Sequence, residues 1–144
     1  IRELFGNPSI TTDVMVGFVG ETDQDFEDSV AFCDRIGFAK AHVFPYSVRK
    51  GTAAERMDGH IDEHLKHVRA DIMIAHTSAR QREFMQSQVG IKTTVLIERS
   101  YDGVSEGYTP NYTKVKIPAA LISGEIVPVR IVSADEECCT AELI

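Results

Sequence analysis

Two short apolar segments, each ending in a polar turn that contains glycine, constrain the fold of this chain most strongly. They are residues 13–22, DVMVGFVGET, and residues 42–52, HVFPYSVRKGT. Between them four apolar residues recur at the spacing of one helix face: Phe26, Val30, Cys33 and Ile36. A strand, a helix and a second strand with short connections form a β-α-β unit with parallel strands. Both turns then lie at the carboxyl ends of strands, where the sites of parallel α/β folds form.

Local signals set the limits of this unit. Thr22 is a good helix N-cap, and Asp25 follows at the capping-box position three residues later. Gly37 is a typical C-terminal stop for the same helix. Runs rich in β-formers predict strands over residues 10–17 and 38–44.

A second helical pattern follows the turn at residues 58–59. Neither proline nor glycine interrupts residues 60–89, so we predict one long helix there that ends at Gly90. Six apolar residues at helical spacing define its expected buried face: Ile61, Leu65, Val68, Ile72, Ala75 and Ala79.

The last part of the chain changes to short strand patterns around an Asp102-Gly103 turn. Four strand regions are expected, at residues 93–98, 107–117, 125–132 and 138–143. Several short strands within this length predict a small antiparallel β-barrel. The overall class is α/β, divided into residues 1–59 with the parallel unit, the helix at 60–89, and the barrel at 90–144.

Composition bounds the possible functions of these 144 residues. The net charge of −7 argues against an extended basic surface for nucleic acid. No run of 18 or more apolar residues exists, so we expect no membrane span. No signal peptide is visible, and the first residue, Ile1, indicates a start that is cut rather than natural.

Three cysteines, Cys33, Cys138 and Cys139, make a poor disulfide framework because their number is odd and two are adjacent. We interpret them as free, buried or half-buried thiols in a reducing cytoplasm. Their spacing has nothing of the close cysteine run that holds an iron–sulfur cluster.

Each polar turn allows two interpretations. The Gly17–Gly20 turn either lets a ligand approach the backbone, with Phe18 as an apolar wall, or is an ordinary strand-to-helix connection. After Pro45 breaks the second strand, one loop presents polar side chains. Its arginine either contacts a carboxylate or phosphate, or is an exposed residue of a surface loop.

Histidines offer a weaker signal. His60, His64 and His67 recur at a spacing that suits metal ligands on one helix face, but they lie beside the expected buried face, which favours a solvated stripe. His42 lies within an apolar strand, and we interpret it as a core histidine rather than a site residue. His76 is isolated and receives no role.

A further candidate site is the segment of residues 107–115, GYTPNYTKV. Tyr108 and Tyr112 are suited to stacking on unpaired RNA bases, Asn111 to reading base edges, and Lys114 to binding phosphate. The alternative is a β-hairpin in which core and surface residues alternate.

Together these motifs resemble the radical-SAM tRNA methylthiotransferases. The first two segments are similar to the family pattern Asp-x-Ile-x-Gly-Phe-Pro-Gly-Glu-Thr followed by His-Val-Phe-x-Tyr-Ser-x-Arg-x-Gly-Thr, at the last strands of the radical-SAM barrel. Val19 departs from the pattern, since the family has proline there. Residues 107–112 are similar to the Gly-Tyr-Thr-x-Asn-Tyr motif of the TRAM domain, a small RNA-binding barrel of OB-like type.

The resemblance implies an S-adenosylmethionine site and an RNA site. The implied cofactor-binding residues are Asp13, Gly17, Phe18, Gly20, Phe44, Tyr46, Ser47 and Arg49. The implied RNA-binding residues are Tyr108, Asn111, Tyr112 and Lys114. The implied partner is tRNA in the cytoplasm, modified by a methylthio group on carbon 2 of N6-threonylcarbamoyladenosine beside the anticodon.

The family also uses two 4Fe-4S clusters, whose cysteine ligands lie in an N-terminal part that this chain lacks. The resemblance therefore implies that the missing N-terminal part of the same polypeptide is a partner, and that the chain alone is inactive. Two alternatives remain open: a stand-alone, non-catalytic RNA-binding module of TRAM type, and a small α/β plus β-barrel protein of unrelated role.

Overall fold

The computed structural model describes all residues from 1 to 144, and they divide into two compact units. One unit comprises residues 11–80, and the other comprises residues 1–10 together with 81–144. The predicted division at residues 59 and 89 stays a prediction, because the compact units describe how the residues pack and not the limits of domains.

The first unit contains a parallel two-stranded sheet. Strand β1 (Thr11–Val16) pairs with strand β2 (Lys40–Pro45), and helix α1 (Asp23–Ile36) connects them. The predicted β-α-β unit is thereby confirmed. Outer and inner positions alternate along β1, since successive side chains of a strand point to opposite faces.

The predicted limits of α1 are confirmed. Thr22 accepts a hydrogen bond from the Asp25 amide, and the Asp25 carboxylate accepts one from the Thr22 amide, which completes the capping box. Gly37 caps the other end in the left-handed region, at φ 62°. Phe26 and Cys33 provide the buried positions of the helix.

Helix α2 (Glu63–Ser87) is the predicted long helix, but its predicted buried face is wrong. Leu65, Val68 and Ile72 are exposed by 37–42%. The buried side lies one residue further along the chain, and its members in the first unit are Lys66, Arg69, Ala70, Met73 and Thr77. Apolar periodicity missed this face because two of its five side chains are cations: Lys66 pairs with Glu63 of the same helix, and Arg69 pairs with Glu21 and Asp23.

The second unit contains a closed β-barrel. Its strands are β3 (Lys92–Tyr101), β4 (Val104–Tyr108), β5 (Lys114–Ile117), β6 (Ile126–Ala134) and β7 (Cys139–Leu143), in the order β3-β4-β5-β7-β6. The inward-facing apolar side chains form one core: Val95, Ile97, Val115, Ile117, Val129, Ile131, Cys139 and Ala141, with Met85 of α2.

The barrel corrects two expectations. The predicted single strand region at residues 107–117 is two strands, β4 and β5, separated by a turn in which Tyr112 has φ 65°. The barrel is also not purely antiparallel, because β5 and β7 pair in parallel. Five strands cannot alternate direction all around a closed ring, so one parallel pair is unavoidable.

The three cysteines are free and buried, as the sequence predicts. Neither helix combines the length and the apolar character that crossing a bilayer requires.

Candidate functional site

The turn after β1 is built around Gly17. Its φ of 72° lies in the left-handed region, and its amide donates a hydrogen bond of 2.8 Å to Oε2 of Glu21. A Cβ placed on Gly17 would lie 2.5 Å from Cγ of the buried Lys66. The close approach of α2 therefore requires glycine at this position.

The loop after β2 meets this turn through two aromatic rings. Phe18 and Tyr46 pack edge to face with their centroids 5.0 Å apart, and the Tyr46 amide donates to the Val16 carbonyl at 2.8 Å. Tyr46 is buried, and its hydroxyl has no hydrogen-bond partner. Nζ of Lys66 lies 5.4 Å from the centre of its ring.

Arg69 is a central residue of this region that the sequence patterns missed. Its guanidinium donates to Oε2 of Glu21 and to Oδ1 of Asp23, each at 2.6 Å, and lies 5.5 Å from the centre of the Phe26 ring. Burial acts to lower the pKa of Arg69, but the hydrogen bonds to Asp23 and Glu21 outweigh it and raise the pKa. Glu21 thus joins α2 to the Gly17 turn.

Of the remaining predicted cofactor residues, two lie in the sheet and three lie in the turns that follow its strands. Asp13 and Phe44 belong to the sheet, on the side that carries the exposed residues of β1 and β2. Gly20 donates its amide to the Gly59 carbonyl at 3.0 Å. Ser47 and Arg49 are exposed in the loop after β2.

The interpretation of His42 as a core histidine is wrong. His42 is exposed, and its ring lies 5.8 Å from that of Phe44. It pairs in register with Asp13 on the side of the sheet that is not buried. The apolar pattern of residues 38–44 predicts the strand correctly, but it does not indicate which face of the strand is buried.

The outer surface of the barrel carries a continuous row of side chains across four strands. Strand pairing brings Lys114 opposite Tyr108, Tyr108 opposite Leu96, and Leu96 opposite Ile126. Leu96 and Ile126 are exposed by 46% and 68%, although both are large and apolar. We call this row, Lys114, Tyr108, Leu96 and Ile126, the barrel platform.

Tyr112 stands beside the platform. It is 77% exposed, and its ring centroid lies 5.4 Å from that of Tyr108. Asn111, in contrast, uses its side chain within the protein. Its Oδ1 accepts from the hydroxyls of Thr109 and Thr113, and its Nδ2 donates to the backbone of Asn7 and to Gln88, each at 3.0 Å.

Local cations surround the platform despite the negative charge of the whole chain. Lys92 and Arg130 lie opposite each other on β3 and β6, four residue pairs beyond Leu96 and Ile126. On the other side, Glu106 is hydrogen-bonded by Arg99 and lies within 4 Å of two lysines. The Arg99 hydrogen bond is the main cause that lowers the pKa of Glu106.

A surface groove of about 240 Å³ opens next to the platform. Tyr108, Tyr112, Leu96 and Ile126 provide its aromatic and apolar walls, and Glu98 and Thr94 contribute polar groups. Flat apolar walls with a few polar groups are the composition that receives a planar ring.

Of the three histidines with metal-ligand spacing, His60 precedes α2, and the rings of His60 and His67 each lie near a backbone carbonyl. His67 Nδ1 lies 2.7 Å from the Glu63 carbonyl, and His60 Nε2 lies 3.3 Å from that of Glu55. No group of three or more His, Cys, Asp or Glu side chains is arranged to hold a metal ion.

Over nearly its whole length the chain is a homologue of the tRNA methylthiotransferases. It is 33% identical over 138 residues to the threonylcarbamoyladenosine tRNA methylthiotransferase MtaB of Chlamydia pneumoniae. The aligned residues cover 94% of this chain and 33% of the relative. It is also 35% identical over 132 residues to MtaB of Bacillus subtilis, and that alignment covers 88% of this chain and 29% of the relative.

Relatives named for a different modified adenosine match the chain to a similar degree. The tRNA-2-methylthio-N(6)-dimethylallyladenosine synthase of Bartonella tribocorum is 32% identical over 145 residues, which covers 99% of this chain and 32% of the relative. The chain spans about a third of the length of these relatives. No family model matches the chain.

Proposed function

We propose that this chain is the C-terminal part of a radical-SAM tRNA methylthiotransferase and that its barrel platform binds the tRNA. One observation carries this proposal. The barrel places Tyr108 and two exposed apolar side chains in one row that ends at a lysine, in a chain whose homologues are tRNA methylthiotransferases. Neighbouring apolar side chains that are exposed, such as Leu96 and Ile126, mark interaction surfaces, and unpaired bases have flat faces that can cover them.

The charges around the platform support RNA in particular. Lys114 lies at one end of the row, and Lys92 and Arg130 lie four residue pairs from Leu96 and Ile126 along strands β3 and β6. Cations on both sides of a stacking surface are suited to the phosphates that precede and follow a bound base. Asn111 contributes to RNA binding by fixing the turn that presents Tyr112, since its own polar atoms are occupied.

For the first unit we propose the end of a parallel (β/α) barrel that binds S-adenosylmethionine. At Gly20 no atom lies within 4 Å of the position that a Cβ would occupy, so a ligand can approach the backbone closely there, whereas at Gly17 that space is filled by Lys66 and the glycine serves the shape of the turn. Phe18 and Phe44 supply apolar surface, and the Tyr46 hydroxyl has an unused hydrogen-bonding capacity. Ser47, Arg49 and Asp13 are the polar side chains available to the amino-acid part and the ribose.

The residues present therefore fit S-adenosylmethionine, but they do not fit an iron–sulfur cluster. Cys33, Cys138 and Cys139 are buried, and none belongs to a group that could hold a metal. When it is bound with its cluster, S-adenosylmethionine supplies the radical chemistry of the family, and the protein contributes binding and orientation.

We further propose that both 4Fe-4S clusters are held by an N-terminal part of the same polypeptide. The chain alone is then inactive. Reconstitution of the 144-residue chain with iron, sulfide and S-adenosylmethionine should yield no 5′-deoxyadenosine. Turnover by this chain would contradict the proposal.

The proposed substrate is N6-threonylcarbamoyladenosine beside the anticodon, because the Gly-Tyr-Thr-x-Asn-Tyr form of residues 107–112 resembles that branch of the family, whereas the isopentenyladenosine branch more often has arginine in the place of Tyr108. Homologues of both branches match this chain to a similar degree, so the substrate needs a direct test. The test compares tRNA nucleosides, by mass spectrometry, from a strain lacking the complete gene with and without that gene. We expect a gain of methylthio on threonylcarbamoyladenosine. A gain on dimethylallyladenosine would overturn the proposed branch.

The second candidate function is a stand-alone RNA-binding module. The closed barrel with its own core favours it, because such a unit needs no other part of an enzyme to fold. The DNA upstream of the codon for Ile1 distinguishes the two. An in-frame Cys-x-x-x-Cys-x-x-Cys motif supports the enzyme, and a start codon immediately upstream supports the module.

A further inference from the structure

Glu98 is an acidic side chain in the wall of the groove beside the barrel platform. An acid at this place needs an explanation, because the proposed ligand is a polyanion and a carboxylate repels phosphate. Glu98 is exposed, and no hydrogen bond or ion pair involves its carboxylate. An acidic side chain that served only the solubility of the chain would not need to line the groove.

A β-bulge determines where Glu98 points. Ile97 pairs with Gly107, and Arg99 pairs with Glu106, the residue next to Gly107. Glu98 is therefore the extra residue of β3 and has no pairing partner on β4. Bulges redirect a side chain from the regular alternation of a strand. The Glu98 carbonyl is also fixed, since it accepts a hydrogen bond of 2.8 Å from the Ser123 hydroxyl.

The neighbouring acid on the same face behaves differently. Glu106 receives hydrogen bonds from Arg99, and Lys114 and Lys116 lie 3.6 Å and 3.9 Å from its carboxylate. Arg99 directly follows Glu98 in sequence and feels its charge, yet the guanidinium donates its hydrogen bonds to Glu106. The cations of this surface therefore neutralise Glu106 and leave the two carboxylate oxygens of Glu98 available to a ligand.

The chemistry of the base edges decides which ligand fits. A carboxylate offers only acceptors, so it needs N–H donors. Guanine presents two adjacent donors, the ring N1–H and the 2-amino group, which match both oxygens of a carboxylate. Adenine and cytosine place one amino group beside a ring acceptor, and uracil places its single N–H between two carbonyl oxygens.

We propose that Glu98 makes the groove selective for an unpaired guanine, which stacks on the platform and donates two hydrogen bonds to the carboxylate. This inference rests on the proposed RNA binding of the platform, and it adds the identity of one base. The phosphates on either side of that guanine lie toward Lys114 and toward Lys92 and Arg130, away from Glu98.

The test uses the complete 144-residue chain and fluorescein-labelled single strands of eight uridines that carry one central guanosine, inosine or uridine. Inosine is guanosine without the 2-amino group, so it removes one of the two donors. Fluorescence anisotropy is measured for the unmodified chain, Glu98→Gln, Glu125→Gln and Tyr112→Asn. Glu125 is the matched control, because it is exposed and acidic, precedes Ile126 and does not line the groove.

For the unmodified chain we expect the guanosine strand to bind about tenfold more tightly than the inosine strand, the effect of losing one hydrogen bond to a charged acceptor. Glu98→Gln should reduce this ratio to about twofold or less, since an amide offers one acceptor. Glu125→Gln should tighten all three strands slightly through the lost charge, and it should keep the ratio.

Other outcomes separate the two proposals. Equal binding of guanosine and inosine strands by the unmodified chain, with weaker binding by Tyr112→Asn, would overturn the role of Glu98 and leave platform binding intact. A guanosine preference that persists in Glu98→Gln would also overturn it. Both proposals would be overturned if none of the three strands bound, or if all three bound equally and Tyr112→Asn left their binding unchanged.

Discussion

Lys66 occupies the space where Gly17 would carry a side chain: a Cβ on Gly17 would lie 2.5 Å from Lys66 Cγ. Cγ is near the backbone of a buried residue, so it cannot move aside easily. Gly17 also has φ 72°. We expect Gly17→Ala to lower the free energy of unfolding by about 3 kcal/mol, from overpacking added to left-handed strain.

Gly20 provides the matched control for this substitution. Its φ is 82°, and no atom lies within 4 Å of the position of its Cβ. Gly20→Ala should therefore cost only the conformational strain, about 1 kcal/mol. Urea unfolding of both variants measures the difference, and equal losses would show that Lys66 does not pack against Gly17 as described.

Arg69 should stabilise the Gly17 turn through Glu21 rather than through Asp23. The side chain of Glu21 is 12% exposed, whereas that of Asp23 is 87% exposed. Arg69→Met leaves the Glu21 carboxylate shielded from water without its cation, which costs about 3 kcal/mol. Asp23→Asn should cost less than about 1 kcal/mol, because an exposed pair is screened by water.

A double-substitution cycle measures this interaction directly. Arg69→Met and Glu21→Gln together should cost less than the sum of the single changes, with a coupling energy of about 1–3 kcal/mol. Additive losses in urea unfolding would mean that the two side chains do not interact in solution.

Gly107 permits β4 to approach β3. A Cβ on Gly107 would lie 2.0 Å from the Leu96 carbonyl oxygen, which is part of the backbone and cannot rotate away. We expect Gly107→Ala to lower the stability of the barrel by 3 kcal/mol or more, at the upper end of about 1–3 kcal/mol for overpacking. Gly6→Ala, where no atom lies within 4 Å, is the control. An unchanged melting temperature for Gly107→Ala would contradict the pairing of β4 with β3.

Alkaline pH should weaken the barrel through one thiol. Burial raises the pKa of Cys139 from 9.0 to about 11, so the folded state favours the neutral form. Its contribution is fully present below pH 9 and is lost as the pH rises toward 11. Between pH 8 and pH 10.5 the unmodified chain should lose about 2 kcal/mol more than Cys139→Ala. Urea unfolding at both pH values measures this, and equal losses would exclude a buried thiol.

The parts of the fold that local chemistry determines were predictable. The capping box of Thr22 and Asp25, the left-handed Gly37 and the Asp102-Gly103 turn each depend on a few adjacent residues. The parallel pairing of β1 with β2 followed from their short helical connection. In these places the residues that signal a structure are also the residues that form it.

Other features depend on residues that are distant in sequence. The buried face of α2 is fixed by the contacts of Lys66 and Arg69 with the turn after β1. The exposure of His42 depends on which face of β2 is covered. The bulge that presents Glu98 arises from the register between β3 and β4. None of these features leaves a periodic signal, and Lys66 and Arg69 are charged, so apolar patterns count them as solvent-facing.

The central claim, that the barrel platform binds unpaired nucleotides of tRNA, is tested most directly by NMR. A ¹⁵N-labelled sample of the complete chain is titrated with an anticodon stem-loop RNA, and amide shifts are followed residue by residue. We expect the largest shifts at Leu96, Tyr108, Tyr112, Lys114 and Ile126, weakened when the loop is replaced by a continuous duplex. Shifts confined to residues 11–80, or equal shifts with the duplex, would contradict the claim.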